Sequence, residues 1–316
     1  MRYRHLGNSG LLVSVVGLGC NNFGSRLDVE GTRRVVDAAI DAGITLLDTA
    51  DMYGRSESEA FLGEVLQGRR DQVVLATKFG HQSFDMGYPR AAGAKGGRAY
   101  IRRAVEASLT RLRTDYIDLY QLHTPDPVTP IAETIAALDE LVREGKVRYL
   151  GNSNFAGWQI AEAHYVAQQL NATPFVSAQN HWSLLVRDAE TEVVPAARRF
   201  GLGVLPYFPL ANGLLTGKVR RETGIPADAR LAGRPQWVTE DRLDKVEALI
   251  AWAEKNGRSI LEVGIAALAA QPGCASVISG AMSAEQVQAN AAAGEWEPTA
   301  EQLAEIDAIV PAPELL

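Results

Sequence analysis

Residues 44–53 read ITLLDTADMY, an apolar run that ends in two ionisable side chains, Asp48 and Tyr53. Two later stretches repeat the pattern. VVLAT at 73–77 runs into Lys78, and IDLYQL at 117–122 runs into His123. In a (β/α)8 barrel the catalytic side chains come from the carboxyl ends of different parallel strands, so ionisable residues closing successive apolar runs are what such a site looks like in sequence. Taken singly, each has a plain structural reading: Asp48 as a helix cap, Tyr53 as a packed ring, Lys78 as a snorkelling chain and His123 as a satisfied core histidine. Their joint placement favours a proton-transfer site.

Outward from these three runs the rhythm continues. VSVVGLG near 13–19 precedes them, and VRYLGNSN, FVSAQNH, GVLPYFPL and ASVISG follow, eight strand-like runs in all, apolar without strict alternation as buried parallel strands are. Between them lie amphipathic segments at Val29–Ala42, Arg98–Arg113, Ile131–Glu144, Trp158–Leu170 and Asp241–Lys255, with Gly or Asn near several ends. Eight β-then-α units with right-handed crossovers close into a barrel more naturally than into an open doubly wound sheet, which is the alternative. The expected fold is therefore α/β, a single TIM barrel domain over residues 1–316. Ahead of the first strand, YRHLGNSGLLVS carries an N-S-G turn between short runs, predicting a small hairpin placed to plug the barrel floor. Two connections are long, Gly80–Gly97 after the third strand and Ala211–Val238 after the seventh, and both emerge on the catalytic face, where long loops cover substrates or cofactors.

Bulk properties exclude several classes. The net charge of −7 (31 basic against 38 acidic residues) and pI near 5.4 argue against a nucleic-acid or anionic-membrane partner. The stretch MRYRHLGNSGLLVSVVGLG fits neither a signal peptide nor a membrane span, so a cytoplasmic protein is expected. Cys20 and Cys274 stand apart without a CxxC or Cys/His cluster, and no disulfide or metal site is expected. No coiled-coil heptad marks an oligomer, and the oligomeric state is left open.

The four ionisable residues form a consistent relay. Tyrosine, with an ordinary pKa near ~10, is a sluggish acid at neutral pH unless a cation stabilises its phenolate. Lys78 supplies that cation, Asp48 keeps Lys78 charged, and His123 donates to a substrate oxygen or shares proton delivery.

These residues and the motifs around them resemble the aldo-keto reductase family over nearly the whole chain: GLGCNNFG, LDTADMYGRSESEAFLGEVL, LATKFG, YIDLYQLHTPD, GNSNF, AQNHWS, PYFPLANGLLTGK and SGAMSAEQVQAN. The resemblance implies carbonyl reduction by hydride from a nicotinamide, with Tyr53 as general acid, Lys78 lowering its pKa, Asp48 holding Lys78 and His123 orienting the carbonyl. It implies a cofactor bound by Gly19, Cys20, Asn21 and Asp48, and by Ser153, Asn154 and Gln179 on the carboxamide. Tyr207 would stack on the nicotinamide, with Phe208 and Pro209 beside it. Leu210, Asn212, Gly213 and Lys218 would line the pyrophosphate, and Arg230 would cover the adenine.

Departures begin at the adenosine end. Where many members hold the 2′-phosphate of NADP with a lysine and an arginine, the matching positions are Gly280 and Gln286. Met282 and Ala289 also replace polar residues. The helix opening near Ser283 still offers a free amino terminus to an anion, and Gln286 and Asn290 remain, so NADPH is expected over NADH. The branch with the β subunits of voltage-gated potassium channels shares GAxxAEQ here.

For the substrate, Phe23, Met52, Phe84, Tyr88 and Trp182 fall in loops expected around the four residues, predicting an aromatic-lined pocket for an aldehyde or ketone. Arg90 and Lys95 read as solvated or as anion recruiters, and His5, His81, His164 and His181 as structural or surface residues. Two rivals stand: a cofactor-sensing regulatory subunit, and a Schiff-base lyase using Lys78.

Overall fold

The computed structural model describes residues 1–222, 224–226, 230–233 and 235–313, the side chains of Arg230 and Pro235 excepted. Two short strands, β1 (Tyr3–His5) and β2 (Leu12–Ser14), form an antiparallel hairpin. Eight parallel strands follow: β3 (Val16–Gly19), β4 (Leu46–Asp48), β5 (Val74–Phe79), β6 (Ile117–Leu122), β7 (Val147–Ser153), β8 (Phe175–Gln179), β9 (Gly203–Val204) and β10 (Val277–Gly280). From β3 to β9 each pairs with the next in sequence, and β10 returns to pair with β3. The remaining seam closes when Ala275 N–H donates to Val204 O at 2.8 Å and Ile278 N–H to Pro206 O at 3.1 Å. The result is a (β/α)8 barrel.

Around it run α1 (Val29–Asp41), α2 (Glu57–Val65), α3 (Arg98–Leu112), α4 (Ile131–Arg143), α5 (Gly157–Leu170), α6 (Val193–Phe200), α7 (Glu240–Lys255), α8 (Ile260–Glu262, continuing as the π-helical Val263–Ala267), α9 (Ala284–Ala293) and α10 (Ala300–Ile309). The helix starts follow local chemistry: Asp28, Thr239 and Ser283 each accept a first-turn N–H, at Gly31, Arg242 and Gln286. Among the described residues no helix is long and apolar enough to cross a membrane.

Two strand expectations are revised. The run 13–19 is divided at Val15 between the hairpin and the barrel, because Ser14 makes a corner. Its hydroxyl donates to Val16 O at 2.7 Å while Thr45 N–H donates back to it at 3.0 Å. The seventh strand is regular only at Gly203–Val204, since Pro206 and Pro209 lack the N–H that a ladder requires.

The hairpin sits where a floor is needed. Leu6, Leu11 and Val13 pack into a buried cluster with the inward-facing Leu46, Ala76, Leu119, Leu205 and Ala275. Asn8 N–H donates to Gly201 O at 2.7 Å, and at Gly7, with φ +56°, a Cβ would lie 2.4 Å from that same oxygen. Only glycine fits so close an approach.

Candidate active site

Strand alternation builds the site directly above that floor. Residues two apart share a face, so Leu46 leads to Asp48, Ala76 to Lys78, and Leu119 through Gln121 to His123. Tyr53 opens the helical turn Tyr53–Ser56 that follows β4. Lys78 is fully buried, and its Nζ donates to Asp48 Oδ2 at 2.5 Å and to Thr49 O at 2.8 Å. Asp48 Oδ1 in turn accepts from Gln179 Nε2 at 2.9 Å and Gln121 Nε2 at 3.1 Å. The Lys78 ammonium lies 5.2 Å from the centre of the Tyr53 ring. His123 meets the Tyr53 ring edge-on, centroids 5.9 Å apart. The structure thus brings all four together.

Burial favours a neutral amine at Lys78, but the charge of Asp48 and its hydrogen bond to the ammonium oppose that, and the pKa is held above its ordinary value. At Tyr53 burial pushes upward, Lys78 pulls down and Asp48 pushes up again, with a net upward shift. The expected downward pull of Lys78 is present, Asp48 opposes part of it, and burial, the largest effect, leaves the net shift upward. Tyr53 stands as a protonated phenol. His123 is held well below its usual range by burial, then by Lys78 and His81, and is neutral at pH 7. Cys20, buried beside Asp48, is pushed up by burial and stays a thiol.

Asp48, Tyr53 and His123 line one end of a cleft of about 1040 Å³ across the barrel mouth, with Lys78 buried behind them. Gly19, Cys20 and Asn21 line it from the first loop, and Ser153, Asn154 and Gln179 from β7 and β8. Tyr207, Phe208, Pro209 and Leu210 follow, then Asn212, Gly213 and Lys218; Gly280, Met282, Gln286 and Asn290 line the far end. Arg230 lines it only in expectation, its side chain being outside the described residues. Ser153 Oγ donates to Gln179 O at 2.8 Å, and Asn154 joins His123 O to the Tyr207 hydroxyl at 2.9 and 2.8 Å.

The expected aromatic wall takes a different form. Met52 lines the cleft, while Phe23 is fully buried in the core and Trp182 is 1 % exposed, donating through Nε1 to Glu190 at 2.8 Å. Tyr88 packs against Tyr100, and the Phe84 carbonyl accepts from Lys95 at 2.6 Å. Arg26, His81 and Ser279 line the cleft in addition to the expected residues, and Gln121 supports Asp48 from beneath. Arg26 lies two residues beyond the end of the first motif, so a cation there was legible as a signal.

A dinucleotide fits the residues present. Among the described residues, Asn212 is buried with neither side-chain polar atom paired, as is the Ser279 hydroxyl, and both line the cleft. Unpaired buried polar groups are costly unless something meets them. Beside Asn212 the backbone carries positive φ at Phe208 (53°), Ala211 (46°) and Asn212 (59°), strain of the kind concentrated at binding sites. Among the described residues Arg26 and Lys218 form no ion pair, leaving two cations for an anionic ligand.

Residues 15–311 match the model of the aldo/keto reductase family, and the chain belongs to that family. It is 39% identical over 321 residues to a Bacillus subtilis (strain 168) protein named "Uncharacterized oxidoreductase YrpG", covering 99% of this chain and 97% of that one. It is 35% identical to a "Probable voltage-gated potassium channel subunit beta" of Oryza sativa subsp. japonica, over 98% of this chain and 97% of the relative. A "Probable aldo-keto reductase 1" of Glycine max is 38% identical over 76% of this chain and 68% of its own length.

Proposed function

We propose that this protein is an oxidoreductase that reduces a small aldehyde or ketone to an alcohol, with NADPH as the hydride source and Tyr53 as the proton donor. The observation that carries this reading is a protonated phenol held against a buried ammonium at the end of a cleft that fits a dinucleotide. The family membership and the oxidoreductase relative support it.

When bound, the nicotinamide supplies the hydride. The chain's own residues do the rest. Tyr53 Oη holds the proton that the developing alkoxide takes, and Lys78, kept charged by Asp48, stabilises the phenolate left behind. Neutral His123, beside the Tyr53 ring, orients the carbonyl oxygen by hydrogen bonding. The fixed ion pair also disfavours a Schiff-base role, since an ammonium pinned at 2.5 Å by a carboxylate has no lone pair to attack with. Arg26 and the amino terminus of α9, at the far end of the cleft, would hold the phosphate that NADPH carries and NADH lacks.

The channel-subunit relative favours one alternative, a regulatory protein that binds the cofactor without turning it over. Mixing the protein with NADPH and a panel of aldehydes and ketones, beside Tyr53→Phe, separates the two. Loss of nicotinamide absorbance with the parent, cut by about 10²-fold or more in the variant while cofactor affinity is kept, is the expected result. Cofactor binding without turnover on any carbonyl supports the regulatory reading, and full turnover by Tyr53→Phe removes Tyr53 as the acid.

A further inference from the structure

His81 follows β5 by two residues and lines the cleft, its ring 4.7 Å from that of His123 and nearly perpendicular to it. The Nδ1 atom of His81 accepts the Ser83 backbone N–H at 3.3 Å, with Ser83 Oγ 2.9 Å from the same nitrogen. A backbone N–H only donates, so Nδ1 is an acceptor and a neutral ring must carry its proton on Nε2. Burial and then the Lys95 charge hold the ring below its usual pKa, so it is neutral at pH 7.

The loop that carries this donor is anchored. Lys95 Nζ donates to the carbonyls of His81, Gln82 and Phe84, the latter two at 3.1 and 2.6 Å, and Gln82 N–H donates to Thr124 Oγ1 at 3.1 Å. Lys95 is thereby engaged inside its own loop and is not an anion recruiter. A donor whose tautomer and position are both fixed, next to the histidine already placed at the reacting carbonyl, is preorganised for a second oxygen.

We infer that His81 is a substrate-positioning residue whose Nε2–H binds an oxygen on the carbon next to the reacting carbonyl, so that the site selects 1,2-dicarbonyls and α-hydroxycarbonyls over simple ketones and aldehydes. The inference rests on the carbonyl-reducing reading above. A site built to hydrogen-bond a substrate oxygen rejects the analogue lacking it more sharply than an apolar pocket rejects a missing methylene, because its own donor is left unpaired.

The test compares kcat/KM for 1-phenyl-1,2-propanedione and for propiophenone in the parent, His81→Phe, His81→Asn and Ser83→Ala. Comparing the diketone-to-ketone ratio between proteins cancels the intrinsic reactivity of the two compounds. The ratio falls at least tenfold in His81→Phe, chiefly through KM. It recovers in part in His81→Asn, whose amide restores a donor, and falls by less in Ser83→Ala, where the tautomer is less firmly held. An unchanged ratio in His81→Phe, or equal losses in His81→Phe and His81→Asn, overturns the inference while leaving carbonyl reduction intact. Absence of turnover by the parent on both compounds, while other carbonyls of the panel are reduced, overturns the inference alone; absence on every carbonyl, with cofactor bound, defeats the underlying reading and the inference with it.

Discussion

Replacing Asp48 with asparagine tests the buried pair at the base of the site, with a readout independent of catalysis. Lys78 is fully buried, Asp48 is 3 % exposed, and their atoms meet at 2.5 Å. Removing one partner of such a pair costs about 3–5 kcal/mol, because the other charge is left in the interior without a counterion. Asp48→Asn and Lys78→Met should each fall in that range at pH 7. The double variant removes both charges and should lose less than the sum of the singles by about 2 kcal/mol or more. The pH dependence gives a second, signed readout. In the parent the raised Lys78 pKa contributes stability present below about 10.5 and lost as pH rises through the folded value. In Asp48→Asn only neutral acceptors remain, the folded pKa drops below the unfolded one, and the folded state binds fewer protons. Stability of that variant relative to the parent therefore rises with pH. Urea unfolding of the four proteins at pH 7 and pH 9, followed by tryptophan fluorescence, measures both effects. Additive single losses, or an Asp48→Asn penalty equal at the two pH values, would refute the account of a charged, mutually dependent pair.

Two further outcomes follow from other buried or free charges. Asp51 is 1 % exposed with both carboxylate oxygens unpartnered among the described residues, and burial, then the charge of Glu59, pushes its pKa up to about 7. The folded state then binds the extra proton between about 3.8 and about 7, so this group lowers stability as pH rises through that window, by at most roughly 4 kcal/mol. Asp51→Asn should stabilise the protein more at pH 8 than at pH 5, and an equal change at both would contradict the shift. Arg26→Gln should weaken NADPH binding about tenfold or more with little change for NADH, read by titrating nicotinamide fluorescence; parallel losses for both cofactors would place the 2′-phosphate elsewhere.

The barrel was legible because parallel strands buried on both faces leave apolar runs, and because residues 48, 78 and 123 punctuate three of them. Helix limits at α1, α3, α4, α5 and α7 were legible for a similar reason, their apolar period stopping at Gly, Asn or a charged turn. What the sequence hid depends on direction in space. Phe23 and Trp182 lie in loops beside the mouth, yet only the fold shows their rings turned into the core. The proton on Tyr53 is set by burial against two opposed charges, a balance with no signature in spacing. His81 reads as a surface histidine until Ser83 and Lys95 are seen to fix its ring and its loop.

The hairpin of β1 and β2 gives the cleft a property that its walls do not. With Leu6, Leu11 and Val13 stoppering the far end, the barrel is a cul-de-sac and not a corridor. A ligand in the cleft therefore arrives and departs on the same side, through the one mouth. That single-sided access rests on the twelve residues Tyr3 through Ser14, at the opposite end of the barrel from the four ionisable side chains.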